Sequence, residues 1–177
     1  MPVIFQYGSN CDSDRLNSPA RLSGGAKDLG CAETIGEYEM AFNKWSQGNG
    51  CAAADLMPAS AAGRHAWGVL YNVSEEGLKK LAEIEGRSYE PKIFRVRNEA
   101  GEEVDATTFV VKERARKLGL STTAKYVGHI VNGLRKHGVP EYYVQRVIDD
   151  AVRTNTNAED SVRAVREEAF LTRLRTP

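Results

Sequence analysis

The chain has 177 residues, 41% of them hydrophobic, which is enough for one domain with a substantial core. Its 24 Lys and Arg residues balance 24 Asp and Glu residues, and this zero net charge argues against general binding to nucleic acid. The cysteines lie too far apart in sequence for a metal motif, and no apolar run or charged leader suggests a membrane segment or signal peptide. These features predict a cytoplasmic protein without a metal, nucleic-acid or membrane partner.

The first element is a short apolar run, Val3–Phe5, that ends in the turn Tyr7-Gly8-Ser9-Asn10. The run is typical of a buried strand, and the polar residues from Cys11 onward are typical of a helix start. A strand that breaks at glycine into a helix leaves backbone N–H groups free for a carboxylate or an oxyanion. We also expect Gly8 to let a ligand approach the backbone closely. The alternative is a strand-to-helix turn with an N-cap and no ligand.

The middle of the chain predicts strands, and the later part predicts helices. Pro19 ends the first short helix, and a loose segment rich in Gly and Ser follows to about Gly30. Apolar alternation or small residues then predict strands over 38–42, 51–56, 65–73, 92–97 and 104–111. Helices are predicted to begin at Ser74, at Ser121 or Thr122, and at Pro140. The pattern indicates an α+β fold, a small closed or curled mixed β-barrel flanked by helices.

The last part of the chain is predicted to be a separate helical tail. Residues 153–159 have the composition of a linker, and Asp160 begins an amphipathic stretch with Val162, Val165, Ala169 and Leu174 on its packed face. We therefore divide the chain into a domain over 1–154 and an amphipathic tail over 155–177. The tail favours a packing role or a homodimer contact over a catalytic one.

Glu85 breaks the pattern of the helix that begins at Ser74. The apolar face of this helix contains Leu78, Leu81 and Ala82, and the next position on that face is Glu85. Such violations concentrate at functional sites. Partial burial and the negative end of the helix dipole should both raise the pKa of this carboxyl, which suits a general acid–base. The alternative is a frayed last turn that lets Glu85 reach solvent.

Other chemical groups give weaker signals. The three histidines have no metal-ligand spacing, and His137 is better suited to a helix C-terminus. Cys11 lies beside Ser9, but no histidine has a sequence reason to activate its thiol, so a structural role is favoured.

With these stretches identified, the chain resembles the γ-glutamylcyclotransferase family and its γ-glutamylamine and aminoglycoside-processing relatives. The matching motifs recur in the family's order across roughly residues 3–150; they are Tyr7-Gly8-Ser9-Asn10, Trp67-Gly68-Val69-Leu70-Tyr71, Leu81-Ala82-Glu83-Ile84-Glu85-Gly86 with Tyr89, Tyr126, and Gly138-Val139-Pro140-Glu141-Tyr142. The resemblance implies a small closed β-barrel with surrounding helices and a pocket lined by the Tyr-Gly-Ser-Asn turn. It places the catalytic glutamate at Glu85 and the substrate-binding residues at Tyr7, Gly8, Ser9, Asn10, Tyr89 and Tyr126.

The resemblance further implies a reaction without a cofactor or metal. The α-amine of a γ-glutamyl substrate attacks its own γ-carbonyl, and the products are 5-oxoproline and a free amine or amino acid. Phe109 stands where relatives have a pocket tyrosine, which predicts a preference for leaving amines with apolar side chains. Two alternatives stay open: a non-catalytic module that binds small carboxylates, and a protein-interaction protein with a filled barrel mouth and no pocket between Tyr7 and Glu85.

Overall fold

Seven strands and five α-helices make up the computed structural model, which describes residues 1–177. The strands are Val3–Gln6 (β1), Lys27–Thr34 (β2), Tyr38–Ser46 (β3), Cys51–Pro58 (β4), Trp67–Asn72 (β5), Tyr89–Asn98 (β6) and Glu103–Val111 (β7). The α-helices are Ser13–Leu16 (α1), Glu75–Glu85 (α2), Ala124–Lys136 (α3), Glu141–Thr156 (α4) and Ser161–Leu171 (α5). None of the helices is long and apolar enough to cross a bilayer.

Five of the strands close into a barrel in the order β1-β5-β2-β6-β7. Closure comes from a parallel contact between Ile4 of β1 and Thr107 of β7, and the other neighbouring strands pair antiparallel. The barrel is therefore mixed, and with its surrounding helices it confirms the predicted α+β class. It places the carboxyl end of β1, where the Tyr7–Asn10 turn begins, beside β5 and β7.

The hairpin of β3 and β4 is a separate two-stranded sheet that is tied to the barrel by a buried carboxylate. Asp55 of β4 has no exposed surface. Its oxygens accept hydrogen bonds from the Val111 N–H in β7 at 2.8 Å, from Asn43 Nδ2 at 3.0 Å and from Arg116 Nε at 2.8 Å. Because a buried carboxylate is tolerated only when its oxygens are paired, this network fixes where the hairpin lies.

Helix α3 packs directly on the turn that follows β1. Thr123 caps α3 through the Tyr126 N–H, and the predicted apolar stripe of the helix is buried at Val127, Ile130 and Leu134. At Gly133 a side chain would collide with the backbone of Cys11, so glycine is needed for this close approach. The contact holds the Tyr7–Asn10 turn against the helix.

Three details differ from the sequence-based expectations. Strand β2 was not predicted, because Lys27, Asp28 and Leu29 are exposed and a register shift before Cys31 interrupts the alternation. Most of the predicted linker is helical, since α4 continues to Thr156. The packed face of α5 is a different one: Ala164 and Leu171 are buried, whereas Val162 and Val165 are each 66% exposed.

Candidate active site

A cavity of about 530 Å³ opens between the Tyr7–Asn10 turn, the β3–β4 loop, the end of α2 and the start of α3. Its lining is mostly polar and comprises Ser9, Asn10, Arg15, Arg21, Lys44, Ser46, Gln47, Gly48, Asn49, Ala53, Ile84, Glu85, Tyr89 and Tyr126. A narrow inner extension continues towards Gln6, Tyr7, Gly8, Ala54 and Phe109. All seven residues predicted for the site line this inner space, and five of them line the wide cavity as well.

Glu85 is the last residue of α2 and faces this cavity. Ser74 caps the helix by accepting from the Gly77 N–H at 2.9 Å, and fully buried Leu81 anchors its inner face one turn before Glu85. The chain then leaves the helix at Gly86, whose φ of +78° favours glycine. The predicted face was only partly correct, because Ala82 is exposed and Ile84 lines the cavity instead.

The Glu85 carboxylate is held and tuned by its neighbours. Asn10 Nδ2 donates to Glu85 Oε1 at 3.0 Å. Burial raises the pKa of Glu85 above its ordinary value, and the charges of Arg21, Lys44 and Arg15 together with the Asn10 hydrogen bond oppose that rise. The net result is a carboxylate that is a stronger base than one in water.

The Tyr7–Asn10 turn is rigidly anchored. Tyr7 is buried, and its hydroxyl donates to the Phe109 carbonyl at 2.6 Å, which ties the turn to β7. The Cys11 N–H donates to the Gly8 carbonyl at 2.9 Å, which leaves the N–H groups of Ser9 and Asn10 without an acceptor inside the turn. Ser9 and Asn10 both line the cavity, so their N–H groups are candidates for binding an anionic group of a ligand.

Gly8 is not required by the turn itself. Its φ is −92°, and an added Cβ would meet only Ala54 Cβ at 3.6 Å and Tyr126 Oη at 3.8 Å, which are ordinary contacts. A Cβ at Gly8 would therefore not obstruct the turn, and the close approach of a ligand to the backbone at Gly8 stays a prediction.

The hydroxyl groups of Tyr89 and Tyr126 both form hydrogen bonds with the backbone of Ala54 in the hairpin. Tyr126 Oη accepts from the Ala54 N–H at 3.0 Å, and Tyr89 Oη donates to the Ala54 carbonyl at 3.2 Å. Burial raises the pKa of Tyr126 to about 12, so its hydroxyl stays protonated at neutral pH. Because this oxygen accepts from Ala54, its own hydrogen remains free for Ser9 or for a ligand.

Three cations of the pocket, Arg15, Arg21 and Lys44, were not predicted from the sequence. Arg15 and Arg21 follow the Tyr7–Asn10 turn in segments without a strong pattern, and charged residues there are ordinarily solvated. Lys44 comes two residues after the buried Phe42, but a register shift between Phe42 and Lys44 interrupts the alternation of β3, so the pattern could not place Lys44 in the cavity.

The remaining candidate groups are engaged elsewhere. Cys11 is buried, its thiol donates to the Gln6 carbonyl at 2.9 Å, and burial raises its pKa, which disfavours a thiolate. His129 pairs with Asp12 at 2.8 Å. His137 ends α3 as predicted, with Nδ1 2.6 Å from the Gly133 carbonyl.

Comparisons with known proteins agree with this fold. Residues 65–147 match the AIG2-like family, and no curated protein sequence matches the chain. A solved structure described as a γ-glutamyl cyclotransferase superposes with a TM-score of 0.71 at 20% identity, covering 82% of this chain and 85% of that one. An uncharacterized protein from Homo sapiens gives 0.72 at 21% identity over the same shares.

YkqA from Bacillus subtilis gives a TM-score of 0.68 at 20% identity, covering 89% of this chain and 55% of that one. At such identities the structural similarity establishes the fold. The resemblance inferred from the sequence motifs is confirmed: the chain has an AIG2-like sequence segment within the fold of the γ-glutamyl cyclotransferases.

Proposed function

We propose that the chain is a γ-glutamyl cyclotransferase-type enzyme in which Glu85 is the general acid–base. The observation that carries this proposal is the position of the Glu85 carboxylate. It faces the cavity, 3.0 Å from Asn10 of the Tyr7–Asn10 turn, and burial raises its pKa. A carboxylate of raised basicity beside free backbone donors is suited to moving a proton while an amide carbonyl is attacked.

The reaction is an intramolecular transfer of the γ-glutamyl acyl group. Glu85 accepts a proton from the substrate's α-ammonium, and the free amine attacks the γ-carbonyl carbon to form a five-membered ring. The C–N bond to the leaving amine then breaks as Glu85 returns this proton to the departing nitrogen. Glu85 next accepts the second proton from the ring nitrogen and passes it to the released amine or to solvent, so that 5-oxoproline keeps a single N–H. Holding nucleophile and carbonyl together contributes up to about 7–11 kcal/mol of the barrier reduction.

The turn and its neighbours supply the groups that would hold the glutamyl end. Asn10 is 4% exposed, and its Oδ1 has no hydrogen-bond partner, while its Nδ2 is committed to Glu85. An unpaired buried acceptor is costly, and the substrate's α-ammonium would satisfy it. The Ser9 and Asn10 N–H groups would receive the α-carboxylate or the developing oxyanion.

The presence of the cavity argues against one of the two alternative functions, a protein-interaction role, but is compatible with the other, a carboxylate-binding module. A protein-interaction role predicts no pocket between Tyr7 and Glu85, so the space there argues against it. A non-catalytic carboxylate-binding module would use the same cations and N–H groups but would leave its ligand intact.

The test is incubation of the purified protein with γ-glutamyl amino acids and γ-glutamyl amines, with 5-oxoproline measured by mass spectrometry. The proposal predicts equimolar release of 5-oxoproline and the free amine. Calorimetric binding of these compounds without any release would identify a binding module instead.

A further inference from the structure

The cavity holds more positive charge than its own residues neutralise. Arg15, Arg21 and Lys44 line it, and Glu85 is the one acidic residue among the lining side chains. None of the three cations forms a salt bridge with a carboxylate. The cavity therefore carries an excess of positive charge even when Glu85 is ionised.

The hydrogen-bonding capacity of these cations is also incompletely used. One terminal nitrogen of Arg15 donates to Asn49 Oδ1 at 3.1 Å, while its Nε is buried and has no partner. The Lys44 ammonium lies 5.5 Å from the centre of the Tyr89 ring, and Lys44 lines the cavity. Arginine presents a planar fork that pairs with carboxylates, so a carboxylate ligand would satisfy these donors.

The cations lie on the outer side of the proposed glutamyl site. Ser9, Asn10 and Glu85 of that site line both the inner extension and the outer cavity. Gly8, Tyr7 and Phe109 border the narrow inner extension, whereas the three cations and the β3–β4 loop border the wide outer cavity. A second cavity of about 220 Å³ adjoins it at Arg15 and is lined by Lys125 and His129 as well. The leaving part of a substrate bound beside Glu85 would extend into this cationic space.

We infer, resting on the proposed function, that Arg15, Arg21 and Lys44 form a leaving-group subsite for an amine that carries two carboxylates, as in γ-glutamyl-glutamate or γ-glutamyl-aspartate. A bound γ-glutamyl compound adds one ammonium and one α-carboxylate, which cancel each other. The positive excess left over after Glu85 is then neutralised by two further carboxylates on the leaving group. This proposal departs from the preference for apolar leaving amines expected from Phe109, because Phe109 borders the inner extension and not the outer cavity.

The test compares kcat/KM for γ-glutamyl-glutamate with kcat/KM for γ-glutamyl-glutamine, which differs only in one side-chain charge. The wild-type protein is expected to prefer the glutamate compound by about tenfold or more, and high salt should reduce that preference. Arg21→Gln and Lys44→Gln should each lower the preference several-fold. Lys44→Glu should reverse the charge preference, so that a γ-glutamyl compound whose leaving group is lysine joined through its ε-amine becomes a better substrate than γ-glutamyl-glutamate.

The matched control is Lys79→Gln, an exposed lysine on α2 outside the cavity, which should leave the ratio unchanged. Equal kcat/KM values for the glutamate and glutamine compounds, with 5-oxoproline released from both, would overturn the subsite and leave the proposed function intact. Release from none of the compounds would overturn the proposed function and the subsite together. Circular dichroism and melting curves establish that each variant is folded.

Discussion

At the scale of single residues, the proposed chemistry depends on Glu85 and on the amide that holds it. Asn10 must direct Nδ2 towards the carboxylate, because Oδ1 in that place would repel an ionised Glu85. The same orientation leaves Oδ1 as a buried acceptor without a partner, beside the cavity that Asn10 lines. One amide thus positions the base and offers an acceptor to the ammonium from which the base takes its proton.

We expect Asn10→Ala to lower kcat/KM by about 10–100-fold, because it removes both the positioning bond and the acceptor. The pKa of Glu85 should rise further in this variant, since the Asn10 hydrogen bond lowers it. The measurement is a pH profile of kcat/KM, in which the acidic limb should move to higher pH. A variant with reduced activity but an unmoved acidic limb would contradict the positioning role.

Ionisation of Glu85 should also influence stability, with a definite sign. Its folded pKa lies above its unfolded value because of burial, so its contribution to stability is present at low pH and lost as pH rises through the folded pKa. We therefore expect Glu85→Gln to be at least as stable as the wild type at pH 7, measured by urea unfolding. A marked loss of stability at pH 7 would show that the ionised carboxylate is stabilising where it lies.

The structure also revises the expectation for Gly8. We expect Gly8→Ala to keep the fold, because the added methyl makes only ordinary contacts, and to raise KM because that methyl borders the inner extension of the pocket. Melting curves and substrate kinetics separate the two effects. Unchanged KM in a folded variant would show that the ligand does not approach the backbone at this residue.

The site residues that could be predicted from sequence patterns alone are those that interrupt an apolar pattern. Glu85 interrupts a helix face, and the Tyr7–Asn10 turn ends a strand, so the sequence alone predicts both as candidate site residues. Arg15 and Arg21 break no pattern, because a cation in a polar segment is ordinarily solvated. Only the folding of the β3–β4 loop against the turn brings them into the cavity.

At the scale of elements, α5 braces the β3–β4 loop that forms one wall of the cavity. Arg163 of α5 donates to the Gly50 carbonyl and lies 5.8 Å from the Trp45 ring. Glu167 of the same helix accepts from the Ala124 N–H at 3.0 Å, at the start of α3. The tail is thus connected to both sides of the cavity.

We expect Arg163→Gln to raise KM for a γ-glutamyl substrate several-fold with a smaller change in kcat, because the loop loses a support but Glu85 is untouched. Arg166→Gln, at an exposed position on the same helix, is the matched control and should behave as wild type. Equal KM values for the two variants would remove α5 from any role at the pocket.

The elements that the sequence failed to predict share a physical cause. β2 lies between β5 and β6 in the barrel, yet its first half is exposed and its alternation is broken by the register shift. The buried face of α5 is the side that contacts α4 and α3. Val162 and Val165 lie on the exposed side of the helix. Tertiary contacts decide both cases, so local periodicity could not.

At the scale of the whole molecule, the site exists because the hairpin is docked on the barrel. Asp55 makes that connection by accepting hydrogen bonds from Val111, Asn43 and Arg116. The backbone of the adjacent Ala54 is hydrogen-bonded to Tyr89 and Tyr126. The barrel and α2 provide Glu85, while the hairpin provides Lys44 and the outer wall. Neither part forms the cavity alone.

We expect Asp55→Ala to reduce the free energy of unfolding by about 3–5 kcal/mol, because it leaves a buried N–H and a partly buried guanidinium unpaired. Urea unfolding measures the loss, and Asp105→Ala on the exposed side of β7 serves as the control. A loss no larger than that of the control would show that the network does not hold the hairpin in place.

The most direct measurement of the central claim is 5-oxoproline release by the wild-type and Glu85→Gln proteins, compared at pH 7 on the same γ-glutamyl substrate. Glutamine retains the shape of Glu85 but cannot take a proton, so kcat should fall by about 10²–10⁴-fold while substrate binding by calorimetry persists. Turnover by folded Glu85→Gln at the wild-type rate would contradict the claim that Glu85 moves the proton.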